Sequence, residues 1–432
     1  MQIHNFKNLP RENWEKLAAR GAVDFSKILP VVREIETEIL RDGKKALQKF
    51  TAKFDGARFE NFQISENEIE NAAAKISPKL KTAIETAAKN IEKFHRATAP
   101  QNSAKIKTAP GVLCWREIRA IEKVGIYVPG GTAPLFSTAA MLAIPARIAG
   151  CREIALATPP NFNGEIHPAI LFAARLCGVN KIFRIGGAQA IFALAHGIGE
   201  FSKVDKIFGP GNSFVTAAKI LVSQKVAIDS PAGPSEVLVI ADDDSNAKFV
   251  AADLLSQAEH GADSQAVLLC RSESFAKKVL AEIEIQLLKL PRAEIAKKSL
   301  QNSFVIFGED LNVLFEFANF YAAEHLILHL QNWEKFLPKI QNAGSVFGGE
   351  FSPESAGDFA SGPNHVLPTS GFARAFSGVG VADFCKKISV QTLSKSGLAN
   401  LAPTISEMAR AENLRAHARA AEIRLEDSSQ EK

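Results

Sequence analysis

A chain of 432 residues is too long for one ordinary hydrophobic core, so two or more domains are expected. Hydrophobic residues at 46% and charged residues at 23% exclude a disordered or fibrous chain. With 51 basic against 47 acidic side chains, a net charge of +4 and no basic stripe interleaved with aromatics, no nucleic-acid face is expected and the partner is a small molecule.

The start, MQIHNFKNLPRENWEKLAAR, mixes charges and has no apolar run before a cleavage site, so no export signal is expected. Residues 1 to about 120 read as mostly helical, with apolar residues at three-to-four spacing in NWEKLAARG, ILPVVREIETEILRDGKKALQKFTAKF and ENEIENAAAKISPKLKTAIETAAKNIEKFHRAT. From about 121, short β-rich runs (VGIYV, EIALAT, KIFRI, VDKIF, EVLVIA) alternate with helical ones, the mark of a parallel sheet covered by helices. The longest apolar stretch, from Thr132, contains Pro134, Pro145 and Arg147 and falls short of an uninterrupted span of about 20 residues, so it reads as a buried helix and not a membrane segment. The same style continues to about 375, with helices expected over 246–260 and 274–289 and strands at AVLLC and SFVIF. A loop rich in glycine, serine and proline then runs from Gly344 to Gly371, and the chain ends in one helix, TISEMARAENLRAHARAAEIRLE, and a polar terminus expected to fray.

Five cysteines (Cys114, Cys151, Cys177, Cys270, Cys385), an odd number without a C-x-x-C pair, argue against a disulfide framework and a thiolate zinc cage. A reduced, cytoplasmic setting fits, and any bound metal needs nitrogen and oxygen ligands. Three glycine turns, YVPGG (127–131), RIGGAQ (184–189) and FGPGNS (208–213), join strand to helix. They read either as tight βα turns or as places where the backbone approaches a phosphate at a helix N-terminus; none matches G-x-G-x-x-G.

Of nine histidines, His4, His95, His167 and His196 lack polar company in sequence and read as structural. So does His329, although it lies four residues after His325. Gln257 and His260, at i and i+3 on a helix, share one face and direct a carboxamide oxygen and an imidazole to one point, a weak metal signal when alone. Glu259, between them, faces elsewhere. The tripeptide Ala-Glu-His recurs at 323–325, where an extended chain would send Glu324 and His325 to opposite sides and leave them an ordinary exposed pair or an acid and base flanking a cleft. SPESAGDFASGPNHVLPTSG (352–371) carries Asp358, Asn364 and His365 among turn-forming residues, in a loop long enough to be functional.

Taken together, GIYVPGGTAPLFSTAAMLAIPARIAGC, GGAQAI, KVDKIFGPGN, AIDSPAGPSEVLVIAD, DLLSQAEHGADSQ, AEHLIL, AGSVFGGEFSPESAGDFASGPNHVLPT and ISVQTLSKSGL resemble the histidinol dehydrogenase family in order and spacing, from about residue 20 to 425. The resemblance implies an α/β fold of two incomplete Rossmann-like parallel-sheet domains with a helical N-terminal segment and a C-terminal helical tail. It implies residues 1–23 as that segment, 24–126 plus 236–378 as a first domain with the zinc and catalytic residues, 127–235 as the NAD-binding domain, and 379–432 as a tail exchanged across a homodimer. The implied activity is oxidation of L-histidinol to L-histidine by two NAD-dependent hydride transfers through bound L-histidinal, with one zinc per site. Carried over residue by residue, the resemblance makes Gln257, His260, Asp358 and the partner-contributed His417 zinc ligands, and Glu324 and His325 the acid–base pair. It makes Ser235 and Glu412 substrate contacts, and Tyr127, Gln189 and Asn212, one on each glycine turn, the NAD contacts. His365 lies in a family motif without an assigned role. The rival readings are a cysteine-dependent aldehyde dehydrogenase using Cys114 or Cys151, and a zinc-stabilised binding protein without catalysis.

Overall fold

The computed structural model describes residues 1–21, 25–130, 134–161, 163–230 and 233–426. The boundary expected at 23/24, Gly131 of the first glycine turn, the first two residues of the long apolar stretch and the polar terminus lie outside the described residues. The chain divides into two units, Met1–Thr98 with Ile121–Phe384, and Ala99–Ala120 with the chain from Cys385 onward.

The strands, in chain order, are β1 (Gln2–Asn5), β2 (Ile106–Ala109), β3 (Val112–Ala120), β4 (Lys123–Tyr127), β5 (Glu153–Thr158), β6 (Lys181–Arg184), β7 (Lys206–Phe208), β8 (Ala227–Ile228), β9 (Glu236–Ala241), β10 (Gln265–Cys270), β11 (Phe304–Phe307), β12 (Ala323–His329), β13 (Ala343–Gly348) and β14 (Cys385–Leu393). In the larger unit they form a six-stranded sheet, ordered β1-β11-β10-β9-β12-β13, and a five-stranded sheet, ordered β6-β5-β4-β7-β8. Every pairing in both is parallel. Helices on both faces leave the inner strands no wet side, which is why EVLVIA and QAVLLC are buried at all six positions instead of alternating. The expected buried helix is Phe136–Ala149, with nine of its residues out of solvent.

On the six-stranded sheet one face is covered by helices Ala247–Ala258 and Glu273–Leu287 and the other by Leu311–Tyr321. Trp14 closes the second face by meeting Phe6, Phe317 and Phe320 edge to face, which employs several of the chain's 29 phenylalanines. Helices Phe25–Asp42 and Lys44–Phe54 pack on the five-stranded sheet through Val32, Ile35, Leu47 and Phe50. The smaller unit is an antiparallel sheet, β14-β3-β2, followed by helices Lys395–Ala411 and Arg415–Glu426.

The first 120 residues are mostly helical as expected, with β1 as an edge strand on β11 and the β2–β3 hairpin added, pairings made with distant or adjacent chain that a four-residue run such as QIHN does not signal. Two expectations need correction. The loop of 344–371 is shorter than expected, because β13 and the helix Glu354–Phe359 occupy its first half. The tail helix is two helices, broken where Asn413 takes a left-handed φ of 57°.

The third glycine turn depends on a residue without Cβ. Gly209 has φ +119°, and a Cβ there would lie 2.1 Å from the Tyr127 carbonyl oxygen. The turn is tied down from below: Gly209 N–H donates to Asp229 Oδ2 at 2.7 Å, and buried Lys219 donates to the Gly209 carbonyl at 2.9 Å while ion-pairing with Asp229. Gly209→Ala is therefore expected to lower the thermal midpoint by several degrees, through both strain and displacement of the β4 end. A midpoint equal to that of the parent, measured by calorimetry, would contradict this account of the turn.

Candidate active site

Glu324 and His325 stand at the start of β12, directly after the left-handed Ala322 (φ 53°) that ends helix Leu311–Tyr321. β12 pairs with β9 in the register His325 to Val237, which puts Glu324 beside Glu236. Glu236 N–H donates to Glu324 Oε2 at 2.9 Å, and His325 Nδ1 lies 3.2 Å from the Glu236 carbonyl oxygen. A carbonyl only accepts, so Nδ1 carries a proton, while Nε2 lies 3.4 Å from Asp358 Oδ1. Strand alternation predicts opposite orientations for the pair; instead the Glu324 carboxylate lies 3.6 Å from His325 Nδ1, both groups being drawn to the backbone of Glu236. Burial pushes the Glu324 carboxyl up to about 8, against the opposing effect of His325. Burial acts downward on His325, but Glu354, Glu324 and Asp358 outweigh it and hold the imidazole well above its ordinary value.

Helix Ala247–Ala258 ends one residue after Gln257, so His260 is not on that helix as expected but in the turn beyond it, with its N–H on the Gln257 carbonyl at 3.2 Å. Glu259 is the C-cap. Asp358 lies on helix Glu354–Phe359, where the i, i+4 spacing puts Glu354 on the same face. Donor atoms of His260, Glu354 and Asp358 all lie within 4.8 Å of one another. Gln257 is fully buried, and neither its amide oxygen nor its nitrogen has a hydrogen-bond partner; nor does Glu354 Oε2, and Asp358 Oδ1 has only the 3.4 Å contact with His325. Buried polar atoms left so are costly unless something else meets them, and a divalent cation would meet several at once. An imidazole with carboxylate and carboxamide oxygens is a borderline donor set that fits zinc. Glu354, which burial pushes up to about 8, is absent from the sequence-based ligand set, although its spacing from Asp358 was readable.

His365 connects this group to the five-stranded side: Nδ1 lies 2.7 Å from the Asp358 carbonyl and Nε2 3.1 Å from Thr138 Oγ1. His417 and Glu412 lie in the smaller unit, on helix Arg415–Glu426 and at the cap of the preceding helix, both exposed. His329 is structural as expected, 2.7 Å from Asp253.

A cavity of about 170 Å³ is lined by Ser235, His260, Glu324, His325, Asp358 and His365, together with Gly209 and Pro210 of the third glycine turn. A larger cavity of about 1030 Å³ opens over the carboxyl ends of β4, β6 and β7 and is lined by Tyr127, Gly130, Gln189, Asn212 and Asp55 among others. Its three sequence-predicted residues are anchored differently. Tyr127 accepts Gly187 N–H at 3.0 Å, Gln189 donates to Asp55 at 3.4 Å, and Asn212 caps its helix through Phe214 and Val215 N–H, both at 3.1 Å. Asp55, contributed from the end of helix Lys44–Phe54, carries no sequence signal.

Two parallel sheets, a large cavity at strand carboxyl ends and a buried acid–imidazole pair beside a smaller one define the class: an α/β enzyme. The sequence profile of histidinol dehydrogenase matches residues 18–425. A histidinol dehydrogenase of Bacteroides thetaiotaomicron is 52% identical over 96% of this chain and 97% of its own, and one of Campylobacter jejuni is 50% identical over 99% of each. The crystal structure of histidinol dehydrogenase from Elizabethkingia anophelis superposes with a TM-score of 0.95 at 49% identity, covering 100% of this chain and 99% of that one. The chain belongs to the histidinol dehydrogenase family.

Asp55 yields a pH prediction. Burial raises its pKa to about 6, although hydrogen bonds from Gly186 N–H and Gln189 act the other way. A folded pKa above the unfolded one means that ionisation opposes folding: the carboxyl's contribution is fully present below about 4 and is lost as pH rises through 6. A displacement of about two units corresponds to ~3 kcal/mol, which partial exposure reduces to ~1–2. Asp55→Asn is expected to raise the thermal midpoint, by more at pH 8 than at pH 5. A gain that does not grow with pH contradicts the assignment.

Proposed function

We propose that this protein oxidises L-histidinol to L-histidine, the last step of L-histidine biosynthesis, by two successive NAD-dependent hydride transfers through bound L-histidinal. The observation that carries this reading is the juxtaposition, around one small cavity, of the buried Glu324–His325 pair and a donor set suited to a cation. His325, once it has released the proton that Glu354, Glu324 and Asp358 favour on it, takes the alcohol proton at Nε2 as the first hydride leaves. Glu324 then takes a proton from the water that adds to the aldehyde, and His325 serves again as the hydrate is oxidised. A carboxyl raised to about 8 by burial suits water activation near neutral pH, since its conjugate base is stronger than an ordinary carboxylate. Ser235, at the mouth of β9, is read as a substrate contact, and His365 holds the Asp358 backbone.

Zinc would be held by Gln257, His260, Asp358 and His417, and when bound it supplies a fixed positive charge that anchors the substrate's imidazole and amine. NAD, the hydride acceptor, is assigned to the larger cavity against Tyr127, Gln189 and Asn212, with 127–235 as its domain and the first domain at 24–126 plus 236–378. The exposure of His417 and Glu412 supports a homodimer in which the tail, 379–432, completes the other subunit's site, with Glu412 on the substrate amine. Among the described residues no helix is long and apolar enough to cross a membrane, and none of the five cysteines is joined in a disulfide, which is compatible with the cytoplasm. A thiohemiacetal mechanism has less support: Cys114 lies on β3 of the smaller unit, Cys151 faces the Phe384 carbonyl at 3.9 Å, and neither lines either cavity.

Zinc-loaded protein is expected to form two NADH for each L-histidinol consumed. Chelation should abolish this and zinc should restore it. No NADH from the loaded protein would favour a binding role instead. For the exchanged tail, His417→Ala and Glu324→Ala proteins, each inactive alone, should regain about a quarter of the parent activity on mixing under subunit exchange, because half the dimers are mixed and each of these has one intact site. If mixing restores nothing, the cross-subunit ligand is wrong.

A further inference from the structure

We infer that Glu236, gripped by Arg20, is the positioning residue that sets the geometry of Glu324 and His325, so that the N-terminal segment is a working part of the active site. Glu236 opens β9 in the middle of the six-stranded sheet and is 0% exposed. The remainder of that strand, VLVIA, is apolar, and burying a carboxylate at such a place costs more than packing another valine would.

Its four polar atoms have specific partners. Arg20 donates from Nε to Oε2 at 2.6 Å and from a terminal nitrogen to Oε1 at 2.8 Å, the two-pronged arrangement that fixes orientation as well as charge. Oε1 also accepts the backbone N–H of Glu324 at 3.2 Å. The Glu236 N–H donates to the Glu324 carboxylate, and the Glu236 carbonyl orients the His325 ring. Thus both the backbone and the side chain of Glu324 are attached to one residue, which also engages Nδ1 of His325 and leaves Nε2 facing Asp358.

Arg20 secures the approach to β12 as well. It donates to the carbonyls of Tyr321 at 2.7 Å and Ala18 at 3.2 Å, and its guanidinium lies 3.8 Å from the centre of the Tyr321 ring. Tyr321 is the last residue before the left-handed Ala322, and its hydroxyl is fixed on Gln265 of β10 at 2.7 Å. Arg20 therefore holds the chain just before the catalytic pair, and Glu236 holds the pair itself. Because Arg20 neutralises Glu236, the carboxyl left without a fixed cation is that of Glu324, which faces the small cavity.

The inference rests on the proposed roles of Glu324 and His325, and the test separates the two. Arg20→Met/Glu236→Gln removes both buried charges while keeping the shapes close, so the fork that fixes the Glu236 side chain against Glu324 is lost without leaving an unpaired buried charge. With zinc-loaded protein, kcat is measured for L-histidinol and L-histidinal separately, alongside KM and the thermal midpoint. A misplacement of about 1 Å costs on the order of 100-fold, so kcat for L-histidinal is expected to fall about 100-fold with KM within about threefold and the midpoint within a few degrees. Arg20→Lys, which keeps the charge and loses the fork, should lower kcat about tenfold, and it decides the question if the double variant does not fold. Glu324→Gln is the reference. If it oxidises L-histidinal at the parent rate, the role of Glu324 falls and the inference with it. If it is inactive while the Arg20 and Glu236 variants keep parent kcat, or lose activity only in proportion to their folded fraction, the proposed function stands and the positioning role is overturned.

Discussion

Four neighbouring carboxyl groups, those of Glu236, Glu324, Glu354 and Asp358, are withdrawn from water, and the fold has to offset their desolvation. An ionised carboxylate in a protein interior costs several kcal/mol unless a counter-charge and hydrogen bonds meet it. Glu236 has its answer in the Arg20 fork. The other three have one raised imidazole among them, His325, since burial lowers His260. Burial is the main reason that Glu324 and Glu354 are both pushed up to about 8 and retain protons. A dication there would favour their ionised forms, and the buried amide of Gln257, which has no hydrogen-bond partner, is the group such an ion would make sense of.

The two sheets contribute opposite ends to the chemistry. In open parallel sheets ligands gather outside the carboxyl ends of the strands, and the five-stranded sheet obeys, with its large cavity over the ends of β4, β6 and β7. The six-stranded sheet supplies the amino ends of β9 and β12 instead. Its carboxyl ends are closed off by a structural network in which the His329 carbonyl accepts from Asp242 N–H and Ser245 Oγ while the His329 ring engages Asp253. The result brings the carboxyl side of one sheet to the amino side of the other. Gly209 and Pro210, from the glycine turn after β7, share the small cavity with Glu324 and His325, the proximity that hydride transfer between cofactor and substrate requires.

What was legible in the sequence is what local patterning encodes. Buried strands read as apolar runs, the three glycine turns as strand-to-helix junctions, and Phe136–Ala149 as an interior helix. The resemblance added named roles that spacing alone left open, since Q-x-x-H is a weak pattern until Asp358 is brought beside His260. The missed features are those made by pairing distant residues. β1 exists because β11 is next to it, and Asp55 enters the large cavity only through the packing of its helix on the five-stranded sheet. Arg20 meets Glu236 across 216 residues. Glu354 is the exception, a local i, i+4 neighbour of Asp358 whose burial, not its spacing, makes it part of the group.

The two copies of Ala-Glu-His show why residue identity underdetermines role. In 258–260 the tripeptide closes a helix: Glu259 is the cap, its N–H on the Leu255 carbonyl, and His260, although exposed, brings a ring nitrogen within 4.8 Å of Glu354 and Asp358. In 323–325 it opens a central strand, where the parallel ladder beside Glu236 supplies an N–H for the carboxylate and a carbonyl for the ring, so both polar residues are drawn into the interior. The difference is one of available backbone partners. A helix end exposes carbonyls and leaves an acidic side chain to solvent, whereas the first rungs of β9 and β12 offer a donor and an acceptor to whatever lies beside them. The same three residues thus supply a candidate metal ligand in one setting and a candidate acid–base pair in the other, with the backbone setting that division.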